Sequence, residues 1–158
     1  VLVGGYFGTW LTPDVAREAR LSAGHLREHG AALGAGVIVV LGADACPVAE
    51  TARVAAWFAA ESAGQCGPCV TGLDAIAATI YHLATGTAAQ SAWRDLERWS
   101  RDMRQRGACQ HPDGAVRFVT SALRAFEPEL RDHARRGPCD RCSGPPVLPA
   151  PVRAALQS

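Results

Sequence analysis

Cys66 and Cys69 stand three positions apart in the segment Glu61-Ser-Ala-Gly-Gln-Cys-Gly-Pro-Cys69, a spacing that lets two thiolates grip one metal centre. Glycines on either side let the backbone close round an inorganic core. A helix beginning near Pro68 would aim unpaired N–H groups at sulfur and stabilise negative charge there. A third thiol, Cys109, falls in a loop ahead of a later helix, and an antiparallel helix arrangement would carry it to the first two. Cys46 precedes Pro47 at a helix start and reads as an ordinary buried residue. Cys139-Asp-Arg-Cys142 lies in a proline- and glycine-rich tail and reads as a solvent-exposed dithiol. A zinc site built from Cys66, Cys69, Cys139 and Cys142 would satisfy the ligand count, but the span between the pairs is far longer than in compact zinc modules. It would also leave Cys109 without a role.

Other motifs carry less. His25-Leu-Arg-Glu28-His29 fits an H-x-x-E-H metalloprotease pattern, yet its helix is short and the better reading is a solvated face. Gly34-Ala-Gly36 precedes a strand, whereas a dinucleotide loop follows a strand and opens a helix, so it is not read as a nucleotide site. Trp57, Trp93 and Trp99 fall within predicted helices as core or interface residues, and Trp10 is a candidate for an interface with an upstream domain.

The elements that must position the thiols follow from periodicity. Val1-Leu-Val3 reads as a short buried strand running into Gly4-Gly5, Thr12 with Pro13 as a helix start, and Ser22 to His29 as a short helix stopped by Gly30. The β-branched run Val37 to Leu41 has strand length. From Pro47 the period becomes helical. Val48, Ala52, Ala55 and Ala59 mark a first helix ending by Gly64, and Leu73, Ile76, Ile80 and Leu83 mark a second from about Pro68 to Ala84. Trp93, Leu96 and Met103 mark a third, about Ala88 to Gln105. Val116, Val119, Leu123, Phe126 and Leu130 form a stripe in a fourth that crosses Pro128. The expected fold class is therefore α+β: a β-rich segment over 1–44, incomplete at its N-terminal edge, an antiparallel four-helix bundle over 45–136, and a tail over 137–158 that stays extended and mobile unless a metal or partner holds it.

Bulk properties narrow the function. With 16 basic residues, all arginine, against 15 acidic ones, the net charge is +1, which gives no reason to expect nucleic acid or an anionic membrane as partner. The longest apolar run, around Val37 to Leu41, falls far short of the roughly 20 residues that span a bilayer. The expectation is a cytoplasmic, reducing location without direct membrane insertion, where six cysteines are metal ligands or redox thiols more naturally than disulfides. The first residue is Val1 and the sole methionine Met103, which leads us to expect a portion upstream.

Over about residues 1–133 the sequence resembles the flavoprotein subunit that receives electrons from NADH in respiratory complex I. Val1-Leu-Val-Gly-Gly-Tyr with Leu33-Gly-Ala-Gly-Val-Ile-Val-Val-Leu41 resembles the SLBB β-grasp domain of that family. Glu61, Ser62, Gly64, Cys66, Pro68, Cys69 and Cys109 match the family's iron-sulfur helical domain, and Phe126 to His133 matches its closing helix. The resemblance implies Cys66, Cys69 and Cys109 as ligands of a [4Fe-4S] cluster, with NAD and flavin mononucleotide (FMN) in an upstream domain. It also implies other electron-transfer subunits as partners. Ala63 stands where the family's first cysteine belongs, so three thiolates face a cluster that ordinarily takes four. The outcomes are a cubane with another group on its fourth iron, a three-iron cluster, or no cluster. Cys139, Cys142 and His111 are the candidates for a fourth ligand. Without a cluster, the chain would be a structural docking module.

Overall fold

A computed structural model describes residues 1–148, and the remainder of the expected tail, 149–158, lies outside them. Among the described residues the architecture is helical, with seven α-helices and a small three-stranded antiparallel sheet. The strands are β1 (Leu2–Val3), β2 (Thr9–Trp10) and β3 (Ile38–Val39), in the order β2-β1-β3. Leu2 pairs with Trp10 on one side and Val39 on the other. Strand β3 is shorter than the Val37–Leu41 run predicts, because it lies at the sheet edge with Val37, Ile38 and Val40 exposed, so one apolar side has nothing to pack on.

The turn from β1 to β2 needs its glycines. Gly4 has φ +96°, and a Cβ there would stand 2.6 Å from the Ala32 carbonyl oxygen. Two short helices follow, α1 (Pro13–Glu18) and α2 (Ala23–Glu28), each capped by a hydroxyl. Thr12 accepts from the Val15 amide and Ser22 from the His25 amide.

The remaining helices carry most of the core. Helix α3 (Pro47–Ala60) buries Val48, Ala52, Val54, Ala55 and Phe58. The second predicted helix is a π-helical turn over Pro68–Leu73 that passes into α4 (Asp74–Thr85), and its stripe of Leu73, Ile76, Ile80 and Leu83 is buried. Helix α5 (Ala92–Met103) buries Leu96 and Met103, with Trp93 half-buried at its edge. The fourth predicted stripe is divided between α6 (His111–Ala125) and α7 (Glu127–Arg136), because Pro128 in the first turn of α7 cannot continue the α6 hydrogen-bond ladder.

One apolar cluster joins these helices to Leu2 and Trp10 of the sheet and to Leu148 near the end of the described chain. Trp10 is therefore core, not a surface for an upstream domain. It is 3% exposed, and its ring lies edge-on to Phe126 at 4.9 Å. The described part of the tail is also held in place. A 3₁₀ turn spans Asp140–Ser143, and the Val147 and Leu148 amides donate to the buried Glu50 carboxylate at 3.1 and 2.9 Å. Composition alone points to an extended tail, but Leu148 finds a closed apolar site and Glu50 accepts the backbone donors that would otherwise be orphaned.

Candidate metal centre

Cys66 opens the junction between α3 and the π-helical turn. The amides of Cys69 and Val70 both donate to its carbonyl at 3.0 and 2.9 Å, which winds the Cys66-Gly-Pro-Cys69 loop. Cys109 sits in the connection between α5 and α6. That loop is held by Gln105, which adopts a left-handed φ of 57° and donates its amide to the Asp113 carboxylate at 2.8 Å. Gly107 keeps it tight, since a Cβ there would stand 2.9 Å from the Cys109 carbonyl oxygen.

The sulfur of Cys66 accepts hydrogen bonds from the amides of Ala108 and Cys69, and those donors draw its pKa below the ordinary thiol value. Ala108 is the residue beside Cys109, so the two loops meet at this thiol. Burial pushes the Cys69 thiol up. The Ser62 hydroxyl opposes that by hydrogen-bonding the sulfur, while the charges of Cys66 and Cys109 add to the rise. Cys69 is buried, Cys66 half-buried and Cys109 exposed.

The donor chemistry fits an iron-sulfur core. Thiol sulfurs come from two loops, backbone N–H groups point at one of them, and a Cβ on Gly64 or Gly67 would meet nothing within 4 Å, leaving the flank open. Ala63 supplies no ligand atom. His111 is engaged elsewhere, its Nε2 lying 2.8 Å from the Phe58 carbonyl oxygen and its ring packed edge-on to Phe7 and Phe58.

The sequence offers Cys139 and Cys142 as a fourth ligand or as partners of Cys66 and Cys69 in a zinc quartet. They lie with Cys46 and His133, four residues whose ligand atoms are all within 4.8 Å of one another. The solvent-exposed dithiol and the ordinary buried Cys46 are both corrected by this cluster. Cys46 caps α3, its sulfur accepting from the Ala49 amide at 3.4 Å, and the same sulfur is 3.3 Å from that of Cys142 and 3.7 Å from His133 Nε2. Burial alone would raise the Cys139 thiol, but hydrogen bonds from His133, Arg141 and Cys142 bring it down to about 6. Burial and the neighbouring Cys46 and Cys139 push Cys142 up to about 12. Sequence reasoning missed His133 and the role of Cys46. The available signal was a histidine in the last turn of α7 with a C-x-x-C pair six residues later.

The H-x-x-E-H pair forms no comparable group. His25 Nε2 lies 3.2 Å from the Glu18 carbonyl oxygen, and its Nδ1 3.4 Å from the Glu28 carboxylate.

Residues 49–133, just over half of the chain, match the model of the NADH-ubiquinone oxidoreductase-F iron-sulfur binding region. The chain belongs to this family. Its relatives include the mitochondrial NADH dehydrogenase [ubiquinone] flavoprotein 1 of Dictyostelium discoideum, 28% identical over 86% of this chain and 28% of that protein. The F 2 subunit of NADH-quinone oxidoreductase in Rhizobium meliloti is 27% identical over 80% of this chain and 30% of its own length. The corresponding F subunit of Rickettsia akari is 26% identical over 79% and 30%. The chain thus spans less than a third of the length of these relatives. The matched region contains Cys66, Cys69 and Cys109, whereas Cys46, Cys139 and Cys142 lie outside it and His133 is its final residue.

Proposed function

We propose that this chain is the iron-sulfur module of an NADH dehydrogenase-like flavoprotein, and that Cys66, Cys69 and Cys109 hold its cluster. It would pass electrons from a flavin, bound with NAD by an upstream domain, to a downstream electron-transfer subunit. In this reading residues 1–44 are an SLBB-like β-grasp segment and residues 45–136 the cluster-binding helical unit. Membership of an iron-sulfur binding family whose matched span contains all three thiols carries the reading. The bound cluster would supply one-electron chemistry. The chain's part is to present three thiolates, donate the Ala108 and Cys69 amides to sulfur, and fix the two loops. Among the described residues no helix is long and apolar enough to cross a membrane, in keeping with a peripheral place in a larger assembly.

Ala63 favours a second reading, a docking module whose site has lost its cluster. Iron and acid-labile sulfide analysis of the full chain prepared without oxygen, together with its visible spectrum, separates the two. Iron and sulfide in the wild type, both lost in Cys109→Ser, are expected. Absence of both from the wild type would leave the docking role.

A further inference from the structure

We propose a second, mononuclear metal site in which Cys46, His133, Cys139 and Cys142 bind a single zinc ion that fastens the C-terminal tail to the start of α3. Geometry separates one ion from a cluster. Four ligands set tetrahedrally on zinc at ~2.3 Å for sulfur and ~2.0 Å for nitrogen stand about 3.5 to 3.8 Å from one another. In this chain the sulfurs of Cys139 and Cys142 are 3.7 Å apart and those of Cys142 and Cys46 3.3 Å apart, with His133 Nε2 at 3.7 Å from Cys46 and 3.9 Å from Cys142. A cluster distributes its thiolates over several irons and spreads them further.

The surroundings are those of a metal-binding histidine. His133 is 3% exposed, and its Nδ1 stands 3.2 Å from the Leu83 carbonyl oxygen. A carbonyl only accepts, so Nδ1 donates to it, and Nε2 is the nitrogen that faces the sulfurs and would ligate through its lone pair once a metal displaces any proton it shares with Cys139. On the other side Arg141 hydrogen-bonds Cys139 and donates from one guanidinium nitrogen to the carbonyls of Ala43 and Ala45 at 3.1 and 3.2 Å. One positive charge is therefore in place against the net single negative charge of three thiolates and one Zn²⁺. The three cysteines would ligate as thiolates, with any protons still on them passing to solvent, and the histidine as neutral imidazole. Three of the four residues lie outside the span that matches the iron-sulfur family, so this site is independent of the cluster reading.

The test is elemental analysis of the full chain and its variants, prepared without oxygen and with zinc supplied. We expect one zinc per chain in the wild type, lost in Cys142→Ser and His133→Ala with iron unchanged, while Cys69→Ser loses iron and keeps zinc. A titration needing no variant is Co²⁺ added to chelator-stripped wild type, which should saturate at one equivalent with the intense bands of a tetrahedral, sulfur-ligated ion. Wild type without stoichiometric zinc or saturable Co²⁺, zinc retained by both tail-site variants, or iron that departs with Cys142→Ser but stays in Cys69→Ser would each overturn the proposal. So would a Cys46–Cys142 disulfide in anaerobic protein. Loss of iron alone would strike the cluster reading and leave this one standing.

Discussion

Glu50 is the residue through which docking of the tail is most directly tested. The residue is 4% exposed, and its carboxylate takes hydrogen bonds from Arg53 and from the amides of Val147 and Leu148. Glu50→Ala leaves both amides without their acceptor and Arg53 without its anion. Hydrogen bonds to a charged group contribute about 1.5–3 kcal/mol each, and breaking a buried pair costs about 3–5 kcal/mol. The Arg53 side chain is 32% exposed and recovers much of its loss in water. The two backbone donors then dominate, and we expect a net loss of about 3 kcal/mol. Glu50→Gln keeps one carbonyl oxygen and should lose roughly half as much.

Two assays locate that loss. If the tail opens alone, exchange of the Val147 and Leu148 amides should accelerate roughly a hundredfold in Glu50→Ala while amides of α4 and α6 stay protected. If the chain unfolds as one unit, the same energy lowers Tm by about 6–12 °C. Acceleration below about tenfold with Tm unchanged would refute the reasoning, because the carboxylate would then not be what holds the tail.

Three further outcomes follow from individual positions. Ala63→Cys adds a thiolate to the loop of Cys66 and Cys69, a fourth alongside Cys109, and should raise iron content per chain and lower the reduction potential of the centre relative to wild type; spectroelectrochemical titration of both proteins reads the difference, and an equal or higher potential in the variant contradicts it. Gly8→Ala places a Cβ 2.7 Å from the Gly5 carbonyl oxygen, between backbone atoms that cannot swing aside, and should cost about 3 kcal/mol in urea unfolding, against little for Gly24→Ala, where a Cβ meets nothing within 4 Å. Burial raises the Tyr6 phenol above its ordinary 10.0; below that value neither state is ionised, and above it the unfolded chain ionises first, so stability falls as pH climbs past 10.0. Urea midpoints at about pH 9 and about pH 11 should show Tyr6→Phe with a shallower alkaline loss than wild type.

What was legible in the sequence was whatever is encoded locally. The spacing of Leu73, Ile76, Ile80 and Leu83 declares one buried face of α4, and Thr12 and Ser22 declare helix starts, because periodicity and capping act within a few residues. The pair Cys66 and Cys69 was legible for the same reason. The burial of Leu148 was not, since it depends on an acceptor in α3, and a glycine- and proline-rich stretch gives no sign of where it will dock. The split between α6 and α7 lay in plain view at Pro128, but an apolar stripe that continues across the break masked it. His133 was read as part of a helix end, since its partner Cys46 stands 87 positions away and nothing local connects them.

The two cysteine groups differ in the property that decides what each can hold. Around Cys66 the flank is open, Cys109 is exposed, and backbone donors face sulfur, which suits an inorganic core that brings its own bulk and exchanges electrons with a neighbour. Around Cys46 the ligand atoms already stand at single-ion spacing, two of the four residues are buried, and the histidine is fixed by a carbonyl, which suits an ion that does no redox chemistry and tightens what it joins. The elements that such an ion would join are the start of α3, the end of α7 and the tail. Helix α3 leads directly into the Cys66 loop, so a clamp at its N-cap would hold one end of the rod whose other end meets the proposed cluster ligands. Stripping zinc should therefore loosen the α3 amides before those of α5, and exchange that rises equally in both helices would show that the ion stabilises the whole chain and does not act through α3.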